Sequence, residues 1–342
     1  LAFPNAKITI VADGQEVAMT IRNRLMAHIP GVGLVGAGKR NFGRRVTVFV
    51  SDSLHHELHD PEGEPDIVFF DEVHGAASPS NLERLARYQR ARMFGLSASL
   101  FKRSDNADHR LEGIFGPLIF NLTVPEAEAL GLVSPVLVEM ISVEMSSNPA
   151  DKLTQDTARE RAAIWNNEYR NQMVADQARR FPDDVQVLIM VKSIEHGLRL
   201  RKLLPEFEFC YDKISEQDRQ YYTRIGLLEH NEATMTKPKR QRLRQEFEST
   251  KLKKCIANGV WSTGVDFVSL SVLIRVDGMA SRIMSDQIPG RAMRIHESKP
   301  HALLIDFFDR FDNTKMRHSQ DRRTAYLENG WKVVTVSPTT RE

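Results

Sequence analysis

Short apolar runs separated by amphipathic stretches constrain this chain more than any other feature of its sequence. Residues 6–12, 45–50, 66–70 and 92–96 read as strands, with helical patterns at 14–28 and 79–91 between them. Strands joined through a helix cannot form a hairpin, so they pair in parallel, and a parallel sheet buries both faces under its helices. The expected class is α/β, assembled from βαβ units. The helix at 79–91 has a clear start, with Ser78 as N-cap, Pro79 in the first helical position, and Leu82, Leu85 and Ala86 on one face.

The same alternation recurs downstream. Residues 125–135 (PEAEALGLVSP) hold a short helical pattern closed by Gly131 and Pro135, and a strand resumes at 136–143. The domain boundary is placed at this connector, giving a first domain of residues 1–130 and a second of 136–342. Two domains is also what ~150 residues per domain implies for a chain of this length. The second domain is predicted to hold a helix over 153–180, a buried strand over 185–191 (VQVLIMV), a helix over 194–204 and a basic helix over 238–249. Strands at 254–257, 271–276 and 302–306, a last helix at 317–330 and a final strand at 332–336 complete it.

Apolar residues make up 41% and charged residues 27% of the chain, the balance of a soluble folded protein. The net charge is only +2, so any nucleic-acid reading must rest on local residues rather than on the whole-molecule field. Cys210 and Cys255 are the only cysteines, lack the close spacing of a metal or redox motif, and are read as reduced thiols of a cytoplasmic protein. No stretch approaches the roughly 18 apolar residues of a membrane span, and no leader pattern opens the chain, so neither a membrane protein nor a secreted one is expected. Leu1 is not a methionine and a core strand begins almost at once, which predicts further residues upstream.

Four clusters carry chemistry, each at the end of a predicted element. The apolar run 67–70 ends in Asp71, Glu72, Val73 and His74 (DEVH). The carboxyl ends of strands face the ligand crevice of an open sheet, where one carboxylate can hold the Mg2+ of a nucleotide and its neighbour can orient or deprotonate water. Taken alone, a solvated acidic pair ahead of the Ser78 helix reads equally well. Residues 95–99 (GLSAS) end the next strand in small hydroxyl residues suited to sensing a phosphate, or to a plain turn. Residues 262–266 (STGVD) supply a glycine for close backbone approach and a carboxylate for a ribose hydroxyl, or a turn between strands. Gln287, Gly290, Arg291 and Arg294 form Q-x-x-G-R-x-x-R, which on a helix sets Gln287, Arg291 and Arg294 on one face. Paired guanidiniums bind developing phosphoryl charge bidentately and stay ionised. Each cluster has a bland reading by itself; the four in this order do not.

In order and spacing, DEVH, SAS, STGVD and QxxGRxxR resemble the superfamily 2 helicases, over nearly the whole chain from Lys7 to Trp331. Within that superfamily, residues 258–266 (NGVWSTGVD) and the tail 310–330 are similar to UvsW-type phage helicases, which act on branched DNA. The DEVH spelling and the LGLVSP connector are also similar to the helicase subunit of the eukaryotic transcription and repair factor. The resemblance implies two tandem RecA-like domains with parallel sheets, the first truncated at its N-terminus, and an ATP hydrolase working as a DNA helicase or translocase. By position it implies that Asp71 holds Mg2+, that Glu72 activates water, and that His74 with Ser97, Ala98 and Ser99 couples the nucleotide to the second domain. Gly264 and Asp266 then touch the nucleotide, Gln287 senses its γ-phosphate, and Arg291 and Arg294 are arginine fingers. The implied cofactors are ATP and Mg2+ and the implied partner is DNA, with RNA left open because such motors mostly grip the sugar-phosphate backbone. Nucleic-acid contacts fall at Asp13, Gly14, Ser53, Lys192, Ser193 and Thr263. Ala12 and Asp13 stand where Pro-Thr is usual, Val50 stands where Thr is usual, and a solvated loop explains Lys192 and Ser193 equally. A nucleic-acid-binding scaffold that kept this fold and lost turnover is the reading from another functional class.

The phosphate loop is missing from the pattern. Residues 33–39 (GLVGAGK) spell G-x-x-x-x-G-K, but Arg40 replaces the Ser or Thr that ligates Mg2+, and the flanks lack the strand-to-helix context. This stretch is read as a decoy, with the true loop upstream. The basic run Lys237, Lys239, Arg240, Arg242 and Arg244 reads as the wet face of a helix anchored by Leu243 and Phe247, or as a phosphate track. His55, His56 and His59 read as loop histidines without a ligand motif.

Overall fold

Val46–Val50 (VTVFV) is buried at every position, which a strand tolerates only inside a sheet covered on both faces. The computed structural model describes residues 3, 5–43, 45–59, 63–97, 108–261, 267, 269–280 and 301–337. By its internal contacts the chain divides into two units, Leu1–Asn121 and Leu122–Glu342. The division falls ahead of the 125–135 connector, because Thr123 begins a helix of the second unit with a reciprocal cap: its hydroxyl accepts from the Glu126 N–H and the Glu126 carboxylate accepts from the Thr123 N–H. Both units are α/β.

The first unit holds β1 (Ile8–Ala12), α1 (Gln15–Met26), β2 (Gly33–Gly36), β3 (Lys39–Asn41), β4 (Val46–Val50), β5 (Ile67–Asp71), α2 (Pro79–Leu85), β6 (Arg92–Leu96) and α3 (Asp108–Phe115). Its six-stranded sheet runs β3-β2-β4-β1-β5-β6. Every pairing is parallel except β2 with β3. One face buries Val11, Phe49, Val68, Phe70 and Leu85, and the other buries Ala12, Ala18, Leu34 and Val48 against α1.

Residues 33–39 form a β-hairpin, not a strand followed by a helix. Gly36 pairs with Lys39, and the two residues between them, Ala37 (φ 52°) and Gly38 (φ 75°), are both left-handed, the geometry of a tight hairpin turn. A side chain at Gly33 would lie 2.2 Å from the Gly43 nitrogen, so this glycine serves backbone contact within the sheet and does not cradle a phosphate. The helix expected over 79–91 stops at Leu85. The Glu64 carboxylate accepts from the N–H groups of Gln89, Arg90 and Ala91 at 2.7, 2.8 and 3.3 Å, drawing that backbone out of the helix.

The second unit contains α4 (Val124–Ala129), β7 (Val136–Val143), α5 (Asp156–Glu160), α6 (Glu168–Ala178), β8 (Val187–Met190), α7 (Ile194–Leu203) and β9 (Glu208–Cys210). There follow α8 (Glu216–Arg224), α9 (Lys237–Glu248), β10 (Lys254–Ala257), β11 (Val272–Arg275), β12 (Ala302–Asp309), α10 (Asn313–Glu328) and β13 (Lys332–Val336). Among the described residues seven strands lie in the order β13-β7-β12-β11-β8-β10-β9, all parallel. The single helix expected over 153–180 is broken by a π-helical turn, Arg161–Trp165. Asn167 restarts it by accepting from the Arg170 N–H and donating to the Ala163 carbonyl, the competition for backbone that asparagine brings to a helix interior. Among the described residues no helix is long and apolar enough to cross a membrane.

Helix α7 packs on β9 through a glycine. A Cβ on Gly197 would sit 2.1 Å from Cζ of the buried Phe209 ring. Gly197→Ala therefore sets a helix-propensity gain of ~1 kcal/mol against overpacking of up to ~3 kcal/mol. The expected outcome in urea unfolding is a net loss of roughly 2 kcal/mol.

Candidate functional site

An open parallel sheet binds ligands at the carboxyl ends of its strands, where successive connections leave in opposite directions. In the first unit β1 connects through α1 to β2 on one side, while β5 connects to β6 on the other, so the switch point lies between β1 and β5. Val11 pairs with Phe70, and the residues that follow are Ala12 and Asp13 on one strand, Asp71 and Glu72 on the other. The Asp71 side chain is half-buried where β5 ends. Glu72 is left-handed (φ 51°, ψ 55°) and turns the chain into a 3-10 helix, Val73–Ala77, that carries His74, whose side chain lies outside the described residues. On the facing strand, Asp13 is exposed and Gly14 (φ 92°) opens α1 without a side-chain cap, directing the positive end of the helix to the crevice.

Asp71 pairs with Leu96, so Ser97, half-exposed, follows beside Glu72. A Cβ on Gly95 would lie 2.6 Å from Cγ2 of Val73; only a glycine lets β6 pass this close to the turn after Glu72. Ala98 and Ser99 lie outside the described residues. Ser53 sits in a 3-10 helix, Ser51–His59, which follows β4, its Oγ 3.1 Å from where a Cβ of Gly36 would stand. Asp71 suits Mg2+, which takes one or two carboxylates and keeps several waters. The 33–39 hairpin supplies no cradle for a triphosphate.

In the second unit β8 connects through α7 towards β9, and β11 connects to β12 in the opposite direction, which puts the switch point between β8 and β11. The Val276 N–H donates to the Met190 carbonyl at 3.2 Å, so Lys192 and Ser193 follow β8 beside Asp277 and Gly278. Lys192 is exposed, and the Ser193 side chain makes no capping hydrogen bond to α7. Glu195, buried in the first turn of that helix, accepts from Arg161 at 2.9 Å and from Arg199 at 3.3 Å. Thr263, Gly264, Asp266, Gln287, Arg291 and Arg294 lie outside the described residues. In α9, Arg240, Arg242 and Arg244 pair with Asp212, Glu246 and Glu248, while Leu243 and Phe247 are buried; the charge of this helix is largely neutralised within its own unit.

Sequence reasoning missed a set of buried charges beside the second switch point. Arg170, Arg275 and Arg322 are fully buried with Asp309, Asp277 and Asp306 as partners. The available signal was the spacing of His318, Arg322 and Tyr326, which puts three polar-headed side chains on one stripe of α10.

No protein-family model matches the chain. In sequence it is 23% identical over 314 residues to a protein named probable helicase D10 of Escherichia phage T5, covering 90% of this chain and 62% of that protein. It is 25% identical over 259 residues to the ATP-dependent DNA helicase uvsW of Enterobacteria phage T4, covering 70% of this chain and 48% of that one. The chain thus spans 62% and 48% of the length of these two curated relatives. In fold it is similar to S. cerevisiae Dbp5 bound to RNA and ADP BeF3, with a TM-score of 0.62 at 14% identity over 97% of this chain and 78% of that one. A fragment described as the HsdR subunit of a type I restriction enzyme from Vibrio vulnificus gives a TM-score of 0.66 at 15% identity over 97% of this chain and 58% of that one. The fold is that of tandem RecA-like domains.

His196, next to Glu195 in α7, is fully buried, with Nε2 2.9 Å from the Asn171 side-chain oxygen and Nδ1 without a partner among the described residues. Burial, helped by the Arg170 charge, pushes its pKa down to about 3. Above pH ~6.5 the ring is neutral whether the chain is folded or not, and below it only the unfolded chain takes up the proton, so stability falls on acidification by up to ~1.4 kcal/mol per pH unit. The difference in unfolding free energy between the wild type and His196→Gln is expected to shrink by that slope from pH 6.5 downwards; parallel pH curves would mean the ring is protonated in the fold.

Proposed function

We propose that this chain, a superfamily 2 helicase in sequence and fold, is the motor part of an ATP-driven helicase or translocase that acts on DNA, branched or recombining DNA in particular. The observation that carries this is the placement of Asp71 and Glu72 at the first switch point, two adjacent carboxylates on the edge where an open sheet binds its ligand. In this reading Asp71 holds Mg2+ and Glu72 Oε takes the proton of the attacking water. Bound Mg2+ would supply neutralisation of the charge that develops on the phosphates. His74, Ser97, Ala98 and Ser99 couple the nucleotide state to the second unit. Gly264 and Asp266 contact the nucleotide, Gln287 senses its γ-phosphate, and Arg291 and Arg294 stabilise the transferring phosphoryl group. Asp13, Gly14 and Ser53 on the first unit, and Lys192, Ser193 and Thr263 on the second, contact the nucleic-acid backbone.

The phosphate loop this chemistry requires is assigned to a further strand. Among the described residues β6 pairs on one side only. Leu118, Ile119 and Phe120 follow α3 with exposures of 45, 77 and 74%, more apolar surface than a short loop leaves in water without use. A strand added beyond β6 would bring a phosphate-binding turn to the edge that carries Asp71, beside Ser97. DNA is preferred to RNA because the T4 relative is named a DNA helicase; an RNA track is the second reading, supported by the RNA-bound Dbp5 neighbour.

The test is ATP turnover by the native protein without nucleic acid, with branched DNA and with RNA. Turnover stimulated by DNA, and lowered at least ~100-fold in Glu72→Gln as loss of a general base requires, is the expected result. Lys192→Ala should weaken DNA binding and flatten the dependence of log K on log salt by about 0.7–0.9. Binding without turnover would replace the motor with a scaffold, and stimulation by RNA alone would change the track.

A further inference from the structure

The loop that leaves β11 is gripped through its backbone. The Val276 carbonyl accepts from Arg170 Nη1 at 3.1 Å, the Gly278 carbonyl lies 3.3 Å from His318 Nδ1, and the Met279 carbonyl accepts from both Arg275 and Arg322 at 3.2 Å. The Met279 N–H is bound in turn by Asp277, which also pairs with Arg275. Behind these contacts Arg322 forks onto Asp306 at 2.7 and 3.0 Å. The Tyr326 hydroxyl, held against Arg275, donates to the same carboxylate at 2.7 Å. On the other side Gly278 (φ 66°) is pressed onto the π-helical turn, where a Cβ would lie 2.8 Å from Ile164.

Buried ion pairs add little net stability, since well-packed apolar residues often serve as well or better. What they provide is fixed geometry for groups that would otherwise bond to water. Here the fixed group is a stretch of loop at the second switch point, and the chain runs on from it to Gln287, Arg291 and Arg294. We propose that Arg275, Arg322 and Tyr326 are positioning residues: they hold the backbone of 276–279 in one conformation and so fix the point from which the chain runs on to Gln287, Arg291 and Arg294. This rests on the motor reading above for its effect on turnover, but not for its effect on the loop.

Two variants test it in the native protein. Arg322→Lys keeps the charge and loses the fork; Tyr326→Phe removes one hydroxyl and keeps the volume, and carries the test if the lysine variant does not fold. Amide exchange at 277–280 is expected to accelerate at least about tenfold in either, while β8 and β10, which neither side chain touches, exchange as in the wild type. With turnover present, kcat should fall roughly ten- to a hundredfold, as a misplaced catalytic group does, with KM for ATP and DNA affinity unchanged. Uniform acceleration across the second unit, unchanged exchange at 277–280, or local loosening with unchanged kcat would each overturn the proposal. A wild type without turnover would overturn the motor reading alone, and exchange would then decide whether the loop is held.

Discussion

Parallel pairing is the constraint on which the rest of this structure depends. Among the described residues every strand of the second unit points the same way, and in the first unit only β3, at the outer edge, does not. All the loops at strand carboxyl ends in a unit therefore lie along one edge of its sheet, and the change in winding direction opens a crevice there. Asp71 and Glu72 share that edge with Asp13 and Gly14, and Lys192 and Ser193 share theirs with Asp277 and Gly278, because the topology leaves them no other place. The price of such a sheet is cover for both faces, which is why the central strands are buried at nearly every position.

The two units stiffen their working edges by different means. In the first, backbone conformation does it: Glu72 is left-handed, and Gly95 lets β6 approach Val73 closely enough to support the turn. In the second, charge does it, through buried Arg–Asp pairs whose donors end on loop carbonyls. Removing one member of such a pair leaves an uncompensated buried charge and costs ~3–5 kcal/mol. These sites therefore tolerate paired replacement better than single substitution.

Long apolar runs made much of this legible in the sequence. Strands β4, β5, β7, β8 and β10 are legible because apolar residues dominate each of them, and Asp71 stands at a strand end because IVFF precedes it. Strand β2 (GLVG) is bounded by glycines that read as a turn, β3 (KRN) has no apolar residue and β9 (EFC) is three residues long, so none of them shows an apolar run. Side-chain hydrogen bonds to backbone set other boundaries: Glu64 ends α2 from 25 residues away, and Asn167, through its local bonds to Ala163 and Arg170, divides what the sequence offers as one helix. Strand β12 runs on to Asp309, past the expected end at residue 306, because Arg322 and Arg170 neutralise carboxylates that sequence patterning counts as surface. The left-handed Glu72 was illegible for the same reason, since tertiary contacts and not local preference hold a non-glycine residue there.

That the carboxyl ends of both sheets are the edges that carry nucleic acid is most directly tested by photo-crosslinking. A single-stranded DNA bearing photoreactive bases, bound to the native protein and mapped by peptide, should crosslink to segments containing Asp13 and Gly14 and to segments containing Lys192 and Ser193. Crosslinks concentrated at the amino ends of the strands, around residues 5–8, 63–66 and 183–186, would contradict it.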